Sequence, residues 1–137
     1  MSLPPELNGD YVQVNQVSPS ITKLTEKCGC RLWFGENRAN RIGMYDTKAG
    51  GFQEWVAPSA EQWPYDVTAD KNSDAWAGGE FSNRVLRLNP KSGEIVEYLL
   101  PKFTNIRRVF VDNSTTPPTF WVGNNRGASI VKLEPFD

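Results

Sequence analysis

Histidine is missing from this sequence of 137 residues. That removes the commonest general base near neutral pH, the commonest transition-metal ligand and every triad built on imidazole. Any catalysis falls to carboxylates, Tyr, Lys, Arg or a metal held by oxygen ligands. Cysteine is nearly as scarce, with Cys28 and Cys30 together in "KCGCR". A C-x-C pair cannot by itself make a tetrahedral zinc site. It reads as two reduced thiols flanking a Gly turn, or, outside the cytosol, as a strained local disulfide. Excess charge of either sign is also lacking: 15 Lys and Arg against 16 Asp and Glu leave a formal charge of −1. Such a chain has no global field to hold nucleic acid or an anionic membrane surface. No apolar run is long enough to span a bilayer, and "MSLPPELNGD" has no basic region followed by an apolar stretch. The expected location is cytoplasmic, or secreted or periplasmic if the sequence is a fragment of a longer precursor. No segment carries the apolar period of a helix.

What is present is a repeated phrase. "RLWFGENRANRIGMYD" at 31–46 returns as "DAWAGGEFSNRVLRLN" at 74–89 and begins again as "TFWVGNNRGASIVKLE" at 119–134. Trp33, Trp76 and Trp121 are spaced by 43 and 45 residues, the period of four short strands and their turns. In the same register Asn40-Arg41 becomes Asn83-Arg84, Gly50 becomes Gly93, Glu54 becomes Glu97, Trp55 becomes Tyr98 and Pro58 becomes Pro101. The third copy lacks the Gly, Glu, aromatic and Pro positions.

Within one unit, "YDVTAD" (65–70), "DAWAG" (74–78), "RVLRLN" (84–89) and "EIVEYLL" (94–100) alternate as strands do. "DTKAG" and "NPKSG" both end on a Gly, and the second also carries a Pro, as tight turns between the third and fourth strands do. A four-stranded antiparallel unit repeated every forty-odd residues is a β-propeller blade, so the expected fold is all-β, a single propeller domain over 1–137. Its repeats cover about 19–63, 64–105 and 106–137. The repeated tryptophans are expected to wedge between blades. Arg41 and Arg84, with their asparagines, are expected to maintain the blades through turn hydrogen bonds and a recurrent ion pair.

Three blades are too few to close a ring, because propellers have four to eight. "ITKLTE" (21–26) reads as the first strand of the first unit. "DYVQVNQV" (10–17) alternates as a strand that belongs to no blade of its own. Two subunits related by a twofold axis would give six blades, the 10–17 strand of each completing the last blade of the other. The expected partner is therefore a second copy, a homodimer weakened by deletion of residues 1–17.

"LWFGENRANRIGMYDTKAGGFQEW" and "RVLRLNPKSGEIVEYLLP" resemble the repeats of the virginiamycin B lyase (streptogramin lyase) family, built around Leu-Trp-Phe, Asn-Arg-Ile-Gly and Glu-Tyr-x-Leu-Pro. The resemblance covers about residues 19–137 and implies a C-terminal part or a shortened, half-ring relative. Lyases of that family look like seven-bladed rings that open a cyclic depsipeptide antibiotic by elimination, using Mg²⁺, acidic ligands and a histidine. Glu36 falls where the family often has the Glu of "WFTE". The histidine has no counterpart here, and an elimination needs a positioned base.

Positions that recur serve the blade, so function is sought where the repeats differ. In propellers the loops between strands two and three and the loops entering strand one meet at the channel mouth. They place Glu36, Arg38, Trp63, Tyr65, Asp66, Glu80, Arg107, Arg108 and Asn124 around one opening. Hard cations prefer oxygen ligands, so Glu36 and Glu80, with Asp66 and Asn124, could hold Mg²⁺ or Ca²⁺. Arg107 and Arg108 should point to opposite sides of a strand, toward a ligand carboxylate or phosphate or into an ion pair between blades. Trp63 and Tyr65 line a pocket or close a blade joint. The leading expectation is a binding or interaction module, non-catalytic or catalytically degenerate, holding a small-molecule or peptide ligand at the mouth. The alternative is a Mg²⁺-dependent lyase, lactone-opening or hydrolytic enzyme, with Glu36 and Glu80 as ligands and Tyr65 or Asp66 as base.

Overall fold

A computed structural model describes residues 31–136. The strands expected at 10–17 and 21–26, and the pair Cys28 and Cys30, lie outside the described residues. Among the described residues ten strands form three antiparallel sheets. In the first, β1 (Arg31–Glu36), β2 (Arg41–Asp46) and β3 (Gly51–Val56) lie in sequence order. Four strands make the second: β4 (Pro64–Ala69), β5 (Ala75–Gly79), β6 (Arg84–Leu88) and β7 (Ile95–Leu99). The third contains β8 (Ile106–Asp112), β9 (Thr119–Asn124) and β10 (Ser129–Leu133). The architecture is all-β, built of propeller-blade repeats. Its helical content among the described residues is a single 3-10 turn, Asn37–Ala39.

The repeat is visible in the turns. After β2, Asp46 Oδ1 accepts the amides of Lys48 and Ala49 at 2.8 and 2.9 Å, and Gly50 takes φ +71°. After β6, Asn89 Oδ1 accepts the amides of Lys91 and Ser92 at 2.9 and 3.2 Å, and Gly93 takes φ +76°. Positive φ is the conformation that glycine adopts without steric cost. These amides hold the exposed Asp46 carboxyl below the usual carboxylate range. Ion pairs recur too: Arg41 meets Glu54 at 2.7 Å, and Arg84 meets Glu97 at 3.6 Å.

Both innermost strands bulge at the same place, between Pro64 and Val67 in β4 and between Ile106 and Val109 in β8. A bulge bends the strand and re-aims a side chain.

Blades pack face to face in chain order, β1 against β4 and then β4 and β5 against β8. Trp33 fills the first joint with Ile42, Met44, Val67, Ala75, Ala77, Leu86 and Leu88. Trp76 fills the second with Val85, Ile106, Val111, Phe120 and Val122. Each of these two tryptophans stacks on an aromatic of the last strand of its own sheet, Trp33 on Trp55 of β3 and Trp76 on Tyr98 of β7, both at 5.8 Å. The indole N–H of Trp76 donates to Asp70 Oδ2 at 2.8 Å, so its polar atom is satisfied inside the joint. Trp121 departs from the expectation set by its spacing. It is only half-buried, with the Lys132 ammonium 5.5 Å from its ring, because no further blade covers it among the described residues.

Candidate functional site at the blade ends

The site begins with two asparagines. Asn40 and Asn83 both sit in the left-handed region, at φ +59° and +56°, where the bend turns the side chain toward the following linker. Asn40 Oδ1 accepts the amides of Gln62 and Trp63 at 2.8 and 3.2 Å, and its Nδ2 donates to the Ser59 carbonyl at 2.9 Å. Asn83 Oδ1 accepts the Thr104 amide at 2.8 Å. Each asparagine therefore ties the segment entering the next blade against its own loop, β1 to β2 for Asn40 and β5 to β6 for Asn83.

Along that edge the side chains form a continuous strip across all three blades. From the first blade, Asn37 Nδ2 donates to Glu80 Oε2 at 3.0 Å and to the Trp63 carbonyl at 3.2 Å. Glu80, nearly enclosed, meets Arg107 of the third blade at 3.2 Å through its other oxygen. Arg107 also donates from Nε to Asn105 at 3.1 Å and lies over the Tyr65 ring at 5.8 Å. Beside this ladder, Trp63 meets Phe81 edge to face at 5.4 Å. The Arg126 guanidinium lies 5.3 Å from the ring centres of both Phe81 and Phe103. A guanidinium held between two rings is fixed in orientation by cation–π attraction while its N–H edge stays available to an anion.

The expected site residues do not share one setting. Trp63, Tyr65, Glu80 and Arg107 come together in the strip. Asp66 is buried and accepts the Val109 amide of the next blade at 2.9 Å, which makes it part of a blade joint. Asn124 Oδ1 accepts the amides of Asn105, Arg126 and Gly127, so it shapes the loop that carries Arg126. Arg38 and Arg108 are exposed, on the 3-10 turn and on β8. Of the two arginines expected to diverge, Arg107 makes the ion pair between blades.

Glu36 belongs to other surroundings. It is buried beside Glu54, and its carboxyl is pushed up to about 7. Burial is the main cause, followed by the charge of Glu54 and a hydrogen bond between the two carboxyl groups. Arg41 opposes the shift. With Glu36 turned to Glu54 and Glu80 to Asn37 and Arg107, the expected metal ligands have separate partners. Among the described residues no three acidic, Cys or His side chains gather so that they could hold a metal ion.

Phe81, Phe103 and Arg126 were not singled out by residue type. Their loops differ between the repeats, but stacking between loops of different blades leaves no pattern in a linear sequence.

Comparison with solved structures now gives this geometry a context. A streptogramin B lyase structure superposes with a TM-score of 0.67 at 31% identity, over 75% of this chain and 33% of that one. The blades are similar to those of streptogramin B lyases. Virginiamycin B lyase from Staphylococcus aureus gives a TM-score of 0.62 at 27% identity, covering 77% of this chain and 38% of the lyase. A catalytically inactive form of that enzyme, solved with quinupristin, matches equally well at 28% identity. The extracellular domain of a putative one component system from B. thetaiotaomicron shares the fold, with a TM-score of 0.54 at 19% identity. The chain thus spans between 33% and 38% of the length of these lyase structures. No family model and no curated protein matches it. Among the described residues no helix is long and apolar enough to cross a membrane.

Proposed function

We propose that this chain is a propeller binding module of the streptogramin-lyase type, holding a small-molecule or peptide ligand across the blade ends. The observation that carries this reading is the clamp of Arg126 between Phe81 and Phe103, continuous with Trp63. Flat aromatic faces beside an oriented guanidinium suit a ligand with apolar rings and a carboxylate or carbonyl oxygen. Quinupristin, present in one of the matching lyase structures, is the natural first probe. Titration calorimetry should detect its binding, and Arg126→Ala should weaken it by about tenfold, the scale of one hydrogen bond to a charged group. Wild-type protein that gives no heat with quinupristin, or an Arg126→Ala variant that binds as wild type does, removes the proposal.

A second reading rests on Glu36. A carboxyl raised to about 7 can exchange a proton near neutral pH, a task for which this chain has no imidazole. A lyase or hydrolase of this type would open quinupristin in the presence of Mg²⁺ and lose that activity in Glu36→Ala with the fold intact. Ring opening followed by mass spectrometry distinguishes this reading from binding alone.

A further inference from the structure

Along the strands, cations have carboxylate partners: Arg41 pairs with Glu54, Arg84 with Glu97, Arg87 with Asp74 and Lys132 with Glu134. The loops of the candidate site are different. They carry Arg38, Lys102, Arg107 and Arg126 against Glu61 and Glu80, a local excess of positive charge in a chain whose formal charge is −1. Glu80 is already engaged, because one of its oxygens accepts Asn37 Nδ2 and the other meets Arg107. Arg38, Lys102 and Arg126 are exposed, and among the described residues no carboxylate pairs with them.

Arg126 is the cation best prepared to take an anion. Asn124 Oδ1 accepts the Arg126 and Gly127 amides at 3.1 and 3.2 Å and so fixes the loop that presents it. The guanidinium itself is held at 5.3 Å from the ring centres of Phe81 and Phe103. A side chain ordered in advance loses little freedom when a partner arrives. Its planar fork matches the two oxygens of one carboxylate, and that charged pairing is about twice as strong as one to a neutral carbonyl. Beside the guanidinium, Phe103 keeps 50% of its surface open, an apolar face within reach of the same ligand group.

A cation and an open ring side by side suit a ligand in which a carboxylate and an aromatic ring belong to one residue. The last residue of a peptide that ends in phenylalanine, tyrosine or tryptophan has this form. Its carboxylate would meet Arg126 and its ring Phe103, with the preceding residues running past Phe81 toward Trp63. An amide in place of the carboxylate keeps the ring contact and gives up the charge pairing. Arg38 and Lys102 add to the local positive field, which draws anions to the strip and is weakened by salt.

We infer, resting on the binding-module reading above, that the strip selects ligands ending in an aromatic residue with a free carboxylate, Arg126 taking the carboxylate and Phe103 the ring. N-acetyl-phenylalanine and N-acetyl-phenylalanine amide differ in that one group, and acetate supplies the charge without the ring. Titrated into the full chain and followed by NMR, the acid should bind at least about tenfold more tightly than either the amide or acetate, the scale of one charged hydrogen-bonded pair. Raising the salt concentration should weaken the acid and leave the amide unchanged. Arg126→Gln should bring the acid to the level of the amide, with circular dichroism and melting as in the wild type, since the side chain is exposed and touches only two rings. An acid that fails to bind at millimolar concentration overturns the inference, as does an amide or acetate that binds as tightly as the acid. A folded Arg126→Gln variant that still prefers the acid overturns it too. Quinupristin keeps the two readings apart. Heat from quinupristin alongside equal binding of acid and amide removes the carboxylate selectivity and leaves the binding module standing, whereas an acid preference that Arg126→Gln abolishes supports the selectivity whatever quinupristin does.

Discussion

Glu36 is the residue whose chemistry departs furthest from its sequence label. Its folded-state carboxyl titrates near 7 against an ordinary value of 4.5, so between those values the folded chain holds a proton that the unfolded chain has released. The resulting stability is fully present below about 4.5 and is lost as pH rises through about 7. Melting temperature should therefore fall between pH 5 and pH 8 in the wild type, and fall less in Glu36→Gln, which is neutral throughout. A wild-type profile that rises over this range would contradict the assignment. Trp76 presents the simpler case of a core residue. Enclosed between two blades, stacked on Tyr98 and Phe120, it should cost on the order of 3–5 kcal/mol when replaced by alanine, measured by urea unfolding. Spacing alone revealed the tryptophan series. It did not reveal that Asp70 satisfies the Trp76 indole, nor that Glu36 would lie against Glu54, since those contacts depend on which faces the sheet presents.

At the scale of elements, strands were legible because alternation, Gly and Pro all point the same way. β4 to β7 lie within a residue or so of the segments that the apolar pattern marks. The linkers were less legible. Glu61 and Trp63 take positive φ, at +55° and +50°, in residues whose type gives no warning of it, and the Gln62 and Trp63 amides, donating to Asn40 Oδ1, hold the segment in place. Asn40→Ala and Asn83→Ala should each destabilise the chain by about 1–2 kcal/mol through the amides left without partners. Hydrogen exchange should become faster in residues 59–63 for the first and near Thr104 for the second. Blade joints give a sharper contrast. Gly78→Val must displace Ile106 and should cost about 1–3 kcal/mol, whereas Gly123→Val should leave the folded protomer's stability unchanged. Chemical denaturation of the two variants side by side checks this.

For the whole molecule, the repeat period disclosed the architecture while the site stayed mostly hidden. Blade-forming residues recur in register and so announce themselves. The strip of Asn37, Trp63, Glu80, Phe81, Arg107 and Arg126 is assembled from three blades and repeats in none of them. The proposed binding role would be linked physically to closure of a ring, since a ring of two copies would duplicate the strip about its axis. Small-angle scattering on the full wild-type chain tests closure most directly. Two chains in a compact closed disc are expected at micromolar concentration, and a single chain with the profile of an open arc would contradict it.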